Sequence, residues 1–202
     1  MSKEVSLSDS QEKRLRELLK TAGQKAGDSL SMMISDSVET EIVDFYDTPS
    51  ELHDKTIEDH EIGAIVYTKL KEGEGGIAFF TLYEDSAQSM ANILLMRDQD
   101  YDFGDLGEDE IDALGEVGNI VLGSFLSELA DFFRTEILFD PPKAIPDEEN
   151  EGYKKIIGDS FDPNQVFLIA DLRFYAKDVP IDGQYVIIPS DELMDHFIEY
   201  MS

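Results

Sequence analysis

The chain runs twice through one order of patterns, and that repetition constrains its architecture more than any other feature. In the first half, a polar lead with a serine or aspartate cap near Ser8 to Ser10 opens a segment with Leu15, Leu18, Leu19 and Ala22 at helical spacing. "VETEIVDFYD" then alternates as a strand does, and "GAIVYTKL" and "GGIAFFTL" read as two strands joined by the turn "KEGEGG". "YEDSAQSMANILLM" has the acidic first turn and apolar spacing of a helix.

The second half repeats this order: a long helix from Glu108 to Phe133, a strand "TEILFD", two strands "QVFLIADLRFYA" and "GQYVIIP", and a closing helix "SDELMDHFIEYM" capped by Ser190 or Asp191. Gly118-Asn119 follows Gly23-Gln24 by 95 positions, whereas Gly183 follows Gly76 by 107. The second half therefore carries an insertion, and the Pro-rich acidic "DPPKAIPDEENEGYKKI" from Asp140 fits it as a loop. Two copies of a helix, strand, β-hairpin, helix unit around a common sheet predict an internally duplicated, pseudo-twofold α+β domain. The expected organisation is a single domain, 1–202, with half-repeats 11–96 and 106–201.

At 202 residues and 42% hydrophobic, the chain has material for a core, so its formal net charge of −29 reads as an acidic shell rather than as disorder. Such a balance argues against nucleic acid, whose phosphates need a basic footprint, and against an anionic membrane surface. A dense acidic shell suits a high-salt cytoplasm, since at about 1 M salt the Debye length falls to about 3 Å. A halophilic source is thus expected. Cysteine is absent, which removes disulfides, thiolate metal sites and a cysteine nucleophile. The N-terminus has no apolar targeting segment and no apolar run approaches the roughly 18 residues of a membrane span, so a cytoplasmic protein is expected.

Within "EIDALGEVGNIVLGSFLSELADFF", Leu114, Val117, Val121, Leu122, Phe125 and Leu129 can line a buried side, while Glu116 and Asn119, three apart, leave one face together. Gly115, Gly118 and Gly123 interrupt this helix, each at a cost of about 0.8 to 1 kcal/mol relative to alanine. Either they let the helix pack tightly on the sheet, or they clear the surface around Glu116 and Asn119 for another protein's backbone.

"DALGEVGNIVLGSFLSELA" resembles the signature helix of the CheC, CheX and FliY family, chemotaxis phosphatases with a Glu, two residues, then an Asn. Glu116, Gly118, Asn119, Ile120 and Gly123 match that setting. The resemblance extends to chain length and duplication, with one motif helix per half. It implies a protein aspartyl-phosphate phosphatase acting on a CheY-type response regulator, with Glu116 and Asn119 as the catalytic pair. It also implies no cofactor of its own, the Mg²⁺ being carried by the regulator. The first helix departs from the pattern: Thr21 stands where the Glu would be and Gln24 where the Asn would be, a degenerate first site. FliY-like members carry a further C-terminal rotor-binding domain, and the sequence ends after its second closing helix, so a stand-alone CheC-like protein is expected. The alternative function is a non-catalytic chemotaxis adaptor that binds the receptor deamidase CheD, a partner that the resemblance also implies.

Other constellations are weaker. "DQDYDFGDLGED" has Phe103 where a calcium loop needs glycine and Asp109 where it needs glutamate. His53, His60 and His196 show no metal-ligand spacing and read as solvated surface residues. The glycines at 115, 118 and 123 form neither a dinucleotide fingerprint nor a phosphate-binding loop. Phe79, Phe80 and Tyr83 read as core.

Overall fold

A computed structural model describes residues 8–46, 61–71, 76–98, 101, 104–147, 151–160 and 168–201. In chain order the elements are α1 (Asp9–Ile34), β1 (Val38–Tyr46), β2 (Ile62–Leu70), β3 (Gly76–Tyr83), α2 (Glu84–Leu94), α3 (Glu108–Phe133), β4 (Lys143–Pro146), α4 (Glu151–Ser160), β5 (Leu168–Ala176), β6 (Val179–Pro189) and α5 (Asp191–Met201). The strands form one antiparallel sheet in the order β1-β5-β6-β3-β2-β4. Exchanging β1 with β4, β5 with β2 and β6 with β3 leaves this order unchanged, as a pseudo-twofold axis between the two central strands requires.

Period-two alternation divides the central strands between two cores. On β3, Ala78, Phe80 and Leu82 face the larger core, built with α1, α2, α3 and α5. Phe79, between them, faces a smaller core under α4, with Ile65, Ile169, Val186 and Ile188. Because both of its faces are covered, β3 is nearly continuously apolar. Tyr153 of α4 closes the smaller core and meets the Phe79 ring edge-on at 5.9 Å.

Helix starts follow local chemistry. Ser8 caps α1 reciprocally with Gln11: the Gln11 N–H donates to Ser8 Oγ at 3.4 Å, and the Ser8 N–H to Gln11 Oε1 at 2.7 Å. At the head of α3, the Gly107 N–H donates to Glu110 Oε2 at 3.0 Å. Ser190 caps α5, accepting from the Leu193 N–H at 3.3 Å.

Three sequence expectations are corrected here. "TEILFD" is not a strand: apart from a single bridge between Phe139 and Leu70, the pairing segment lies further on, at Lys143–Pro146. The stretch read as a Pro-rich loop thus contains β4 and the first residues of α4. Both have a physical basis. β4 is a four-residue edge strand, where proline at the strand end leaves no ladder bond broken. Asp147 organises the start of α4, its carboxylate accepting from the Gly152 N–H at 2.6 Å and the Tyr153 N–H at 3.0 Å. His196 is half-buried rather than solvated, with Nε2 3.1 Å from the Phe133 carbonyl oxygen. His53, His60, the turn 72–75 and part of the 98–109 segment lie outside the described residues.

Candidate functional site

α3 is held against the sheet by the predicted stripe. Leu114, Val117, Val121, Leu122, Phe125 and Leu129 are all fully buried. Glu116 and Asn119 stay exposed on the opposite side, one above the other along the helix. Neither side chain makes a hydrogen bond or ion pair with another of the described residues, so both polar ends are available to a partner.

The glycines divide between the two expected uses. A Cβ on Gly118 would lie 2.3 Å from the Cβ of Val66 on β2, so this glycine sets the closeness of α3 to the sheet. A Cβ on Gly123, one turn beyond Asn119, would meet nothing within 4 Å. That glycine keeps the surface beside Asn119 low.

Glu116 and Asn119 line an open groove of about 690 Å³. Its helical wall also presents Ile111, Asp112 and Gly115; its far wall is Lys71, at the end of β2, together with Phe139, Asp140, Pro141, Pro142 and Ala144. The far wall is pinned by backbone bonds: the Lys71 N–H donates to the Leu138 carbonyl at 2.7 Å, and the Asp140 N–H to the Lys69 carbonyl at 3.0 Å. Thr68 Oγ1 adds a 2.6 Å bond to the Asp140 carbonyl. The start of α3 is fixed by Glu110, whose buried carboxylate accepts from Arg97 at 2.5 Å. The guanidinium and the Gly107 N–H hold that carboxyl below its ordinary range, although burial opposes them.

The first half places Thr21 and Gln24 in the corresponding register. Leu19, Ala22, Gly23, Ala26, Gly27 and Leu30 are buried on α1, each 95 positions before a buried residue of α3. Thr21 and Gln24 are exposed, as Glu116 and Asn119 are. Thr21 turns its hydroxyl back on its own helix, donating to the Glu17 carbonyl at 2.9 Å. It lines a separate groove of about 400 Å³ between α1 and α3, shared with Arg14, Glu17, Glu128 and Asp131. The structure therefore does not unite the four sequence-selected residues: Glu116 and Asn119 share one groove, and Thr21 borders another.

Lys71, Asp112, Asp140 and the two prolines were missed by sequence reasoning. Only Asp112, one helical turn before Glu116, had a signal in the local spacing. Among the described residues no three His, Asp or Glu side chains gather as a metal site, and no helix is long and apolar enough to cross a membrane.

Residues 110–145 match the model of the CheC-like family. That segment is CheC-like. It runs from the buried Glu110 through the Glu116/Asn119 face to β4, and so supplies both walls of the groove except Lys71. No curated protein matches the sequence. Among solved structures, the fold is similar to that of FliY from Thermotoga maritima, with TM-score 0.76, 17% identity and 98% of each chain covered. It is also similar to the FliG–FliM complex structure from H. pylori, with TM-score 0.69, 11% identity, and 94% of this chain and 100% of that one covered. CheX from Desulfovibrio desulfuricans gives TM-score 0.54 and 15% identity, over 85% of this chain and 99% of that one. The CheC-like resemblance read from the sequence thus holds in the motif helix and in the fold that carries it.

Proposed function

We propose that this chain serves chemotaxis as a phosphatase that hydrolyses the aspartyl phosphate of a CheY-type response regulator. The observation that carries this reading is the exposed, unengaged Glu116/Asn119 pair on a CheC-like helix, lining an open groove of about 690 Å³. An acyl phosphate is a reactive mixed anhydride, and its hydrolysis passes through a loose transition state that needs positioning more than a strong base.

Asn119 suits that task because a carboxamide both accepts and donates. It orients a water in line with the acyl P–O bond. The water oxygen bonds to phosphorus, the P–O bond breaks, and the electron pair leaves with the regulator's aspartate as a carboxylate. The water's proton passes to the phosphate released. Glu116 pairs with a cationic side chain of the regulator and sets the register of docking. Mg²⁺ belongs to the regulator, as part of the substrate.

The experiment is the decay rate of phosphorylated regulator with and without this protein. Wild type accelerates decay; Asn119→Ala abolishes the acceleration without loss of fold, since alanine is the better helix former on an exposed face. Glu116→Ala weakens engagement, and Gln24→Ala changes little. An Asn119→Ala variant as active as wild type would overturn the assignment.

A second reading is favoured by one observation: the first site lacks both motif residues while its helix keeps the same buried register. A scaffold of this kind can lose chemistry and keep binding faces. In that reading the chain is an adaptor for a CheD-type deamidase. Binding to the deamidase without any effect on regulator decay would establish it.

A further inference from the structure

We infer that Lys71 is the anion-binding group of the Glu116/Asn119 groove, receiving an anionic group on the regulator face that carries the aspartyl phosphate; this rests on the phosphatase reading above. The groove has a distinct charge pattern. On its α3 wall, Asp112 and Glu116 stand one turn apart with like charge. Facing them on the far wall, Lys71 is the one basic side chain that lines the groove among the described residues. A ligand matching this arrangement offers a cation to α3 and an anion to Lys71. A phosphorylated aspartate beside a basic residue has that chemistry.

The surrounding charge makes this single cation consequential. With a net charge of −29, the chain repels an anionic ligand over most of its surface. The groove's other charged groups, Asp112, Glu116 and Asp140, add to that repulsion locally. The backbone that carries Lys71 is fixed at the groove, its N–H donating to the Leu138 carbonyl while the Asp140 N–H donates to the carbonyl of Lys69, two residues earlier.

Its present partner is easily exchanged. Lys71 Nζ lies 3.2 Å from Asp140 Oδ1, and the two side chains are 48% and 52% exposed. Ion pairs this open contribute little, so a phosphoryl group or a well-placed carboxylate can take the ammonium from Asp140 at small cost. Asp140 keeps Lys71 at the rim when the groove is empty and competes with the ligand for it.

The test is steady-state dephosphorylation of a CheY-type regulator, phosphorylated by a small-molecule donor, with KM and kcat separated at low and at molar salt. Lys71→Gln is expected to raise KM at least fivefold at low salt with kcat changed less than twofold, and the gap is expected to close at high salt. Lys71→Arg restores most of the lost affinity. Asp140→Asn, which frees the ammonium and keeps the backbone bonds, lowers KM. Affinity for the unphosphorylated regulator separates the two anion sources: a loss confined to the phosphorylated form assigns the contact to the phosphoryl group, and an equal loss in both assigns it to a carboxylate.

Unchanged KM in Lys71→Gln, alongside an inactive Asn119→Ala, would overturn the role of Lys71 and leave the phosphatase reading standing. Absence of any wild-type acceleration would remove both.

Discussion

The Cβ that Gly118 lacks would stand 2.3 Å from the Cβ of Val66, a separation that no side-chain rotation relieves because Val66 Cβ is fixed to its own backbone. Gly118→Ala is therefore expected to push α3 off the sheet and destabilise the fold by about 1–3 kcal/mol, the range for overpacking. Gly123→Ala meets open space and is expected to stabilise by nearly 1 kcal/mol through helix propensity. Urea unfolding of the two variants checks both signs. A stable Gly118→Ala would mean that α3 does not rest on β2 as described.

Much of this contrast was legible before the structure. The apolar stripe of α3 pointed to the buried side, and Glu116 and Asn119 fell on the exposed one because helical spacing leaves no other arrangement. The repeated order of elements likewise carried the pseudo-twofold sheet. What stayed hidden depends on pairing between distant segments. Lys71 and Asp140 share a wall only because Leu70 bridges Phe139, and nothing local in either stretch announces it. β4 was misplaced because "TEILFD" is the more strand-like segment, yet Leu138 is 54% exposed and the ladder forms at "KAIP".

Glu110 and Glu84 pull the acid limb of stability in opposite directions. Glu110 is held below the ordinary carboxylate value of 4.5 by Arg97 and by the Gly107 N–H, so its contribution is fully present above that value and lost as pH falls through its folded pKa. Glu84 is raised, chiefly by a hydrogen bond shared with Glu61 and by burial, so its contribution is present in acid and lost as pH rises through its folded pKa. Glu110→Gln is expected to cost about 1.5–3 kcal/mol at pH 7 and to converge on wild type in acid. Glu84→Gln is expected to be more stable than wild type at pH 7, with the difference vanishing at low pH. Denaturant midpoints between pH 3 and 7 read both.

The acidic shell predicts a salt response. With 45 Asp and Glu against 16 Lys and Arg, self-repulsion in dilute buffer acts across the whole surface, and molar salt screens it to a few ångströms. The unfolding midpoint is expected to rise between low and molar sodium chloride. A flat profile would remove the argument for a high-salt source.

The two motif positions of the first half allow a stricter test of what the groove adds. Thr21 and Gln24 occupy the same helical register as Glu116 and Asn119, so Thr21→Glu with Gln24→Asn rebuilds the Glu/Asn pair on an exposed face of α1. The surroundings differ. Thr21 borders a smaller groove with Arg14, Glu17, Glu128 and Asp131; the Arg14 guanidinium lies over the Phe132 ring, 5.1 Å from its centroid, and Lys25 is paired with Glu128. A glutamate at 21 would add a fourth carboxylate to a groove with one guanidinium, and the excess negative charge would repel an anionic substrate. In an Asn119→Ala background, the double substitution is therefore expected to leave regulator decay unaccelerated while the fold is retained by circular dichroism. Recovery of activity would mean that the helix pair suffices and that the walls around Glu116 and Asn119, Lys71 included, are incidental to the chemistry.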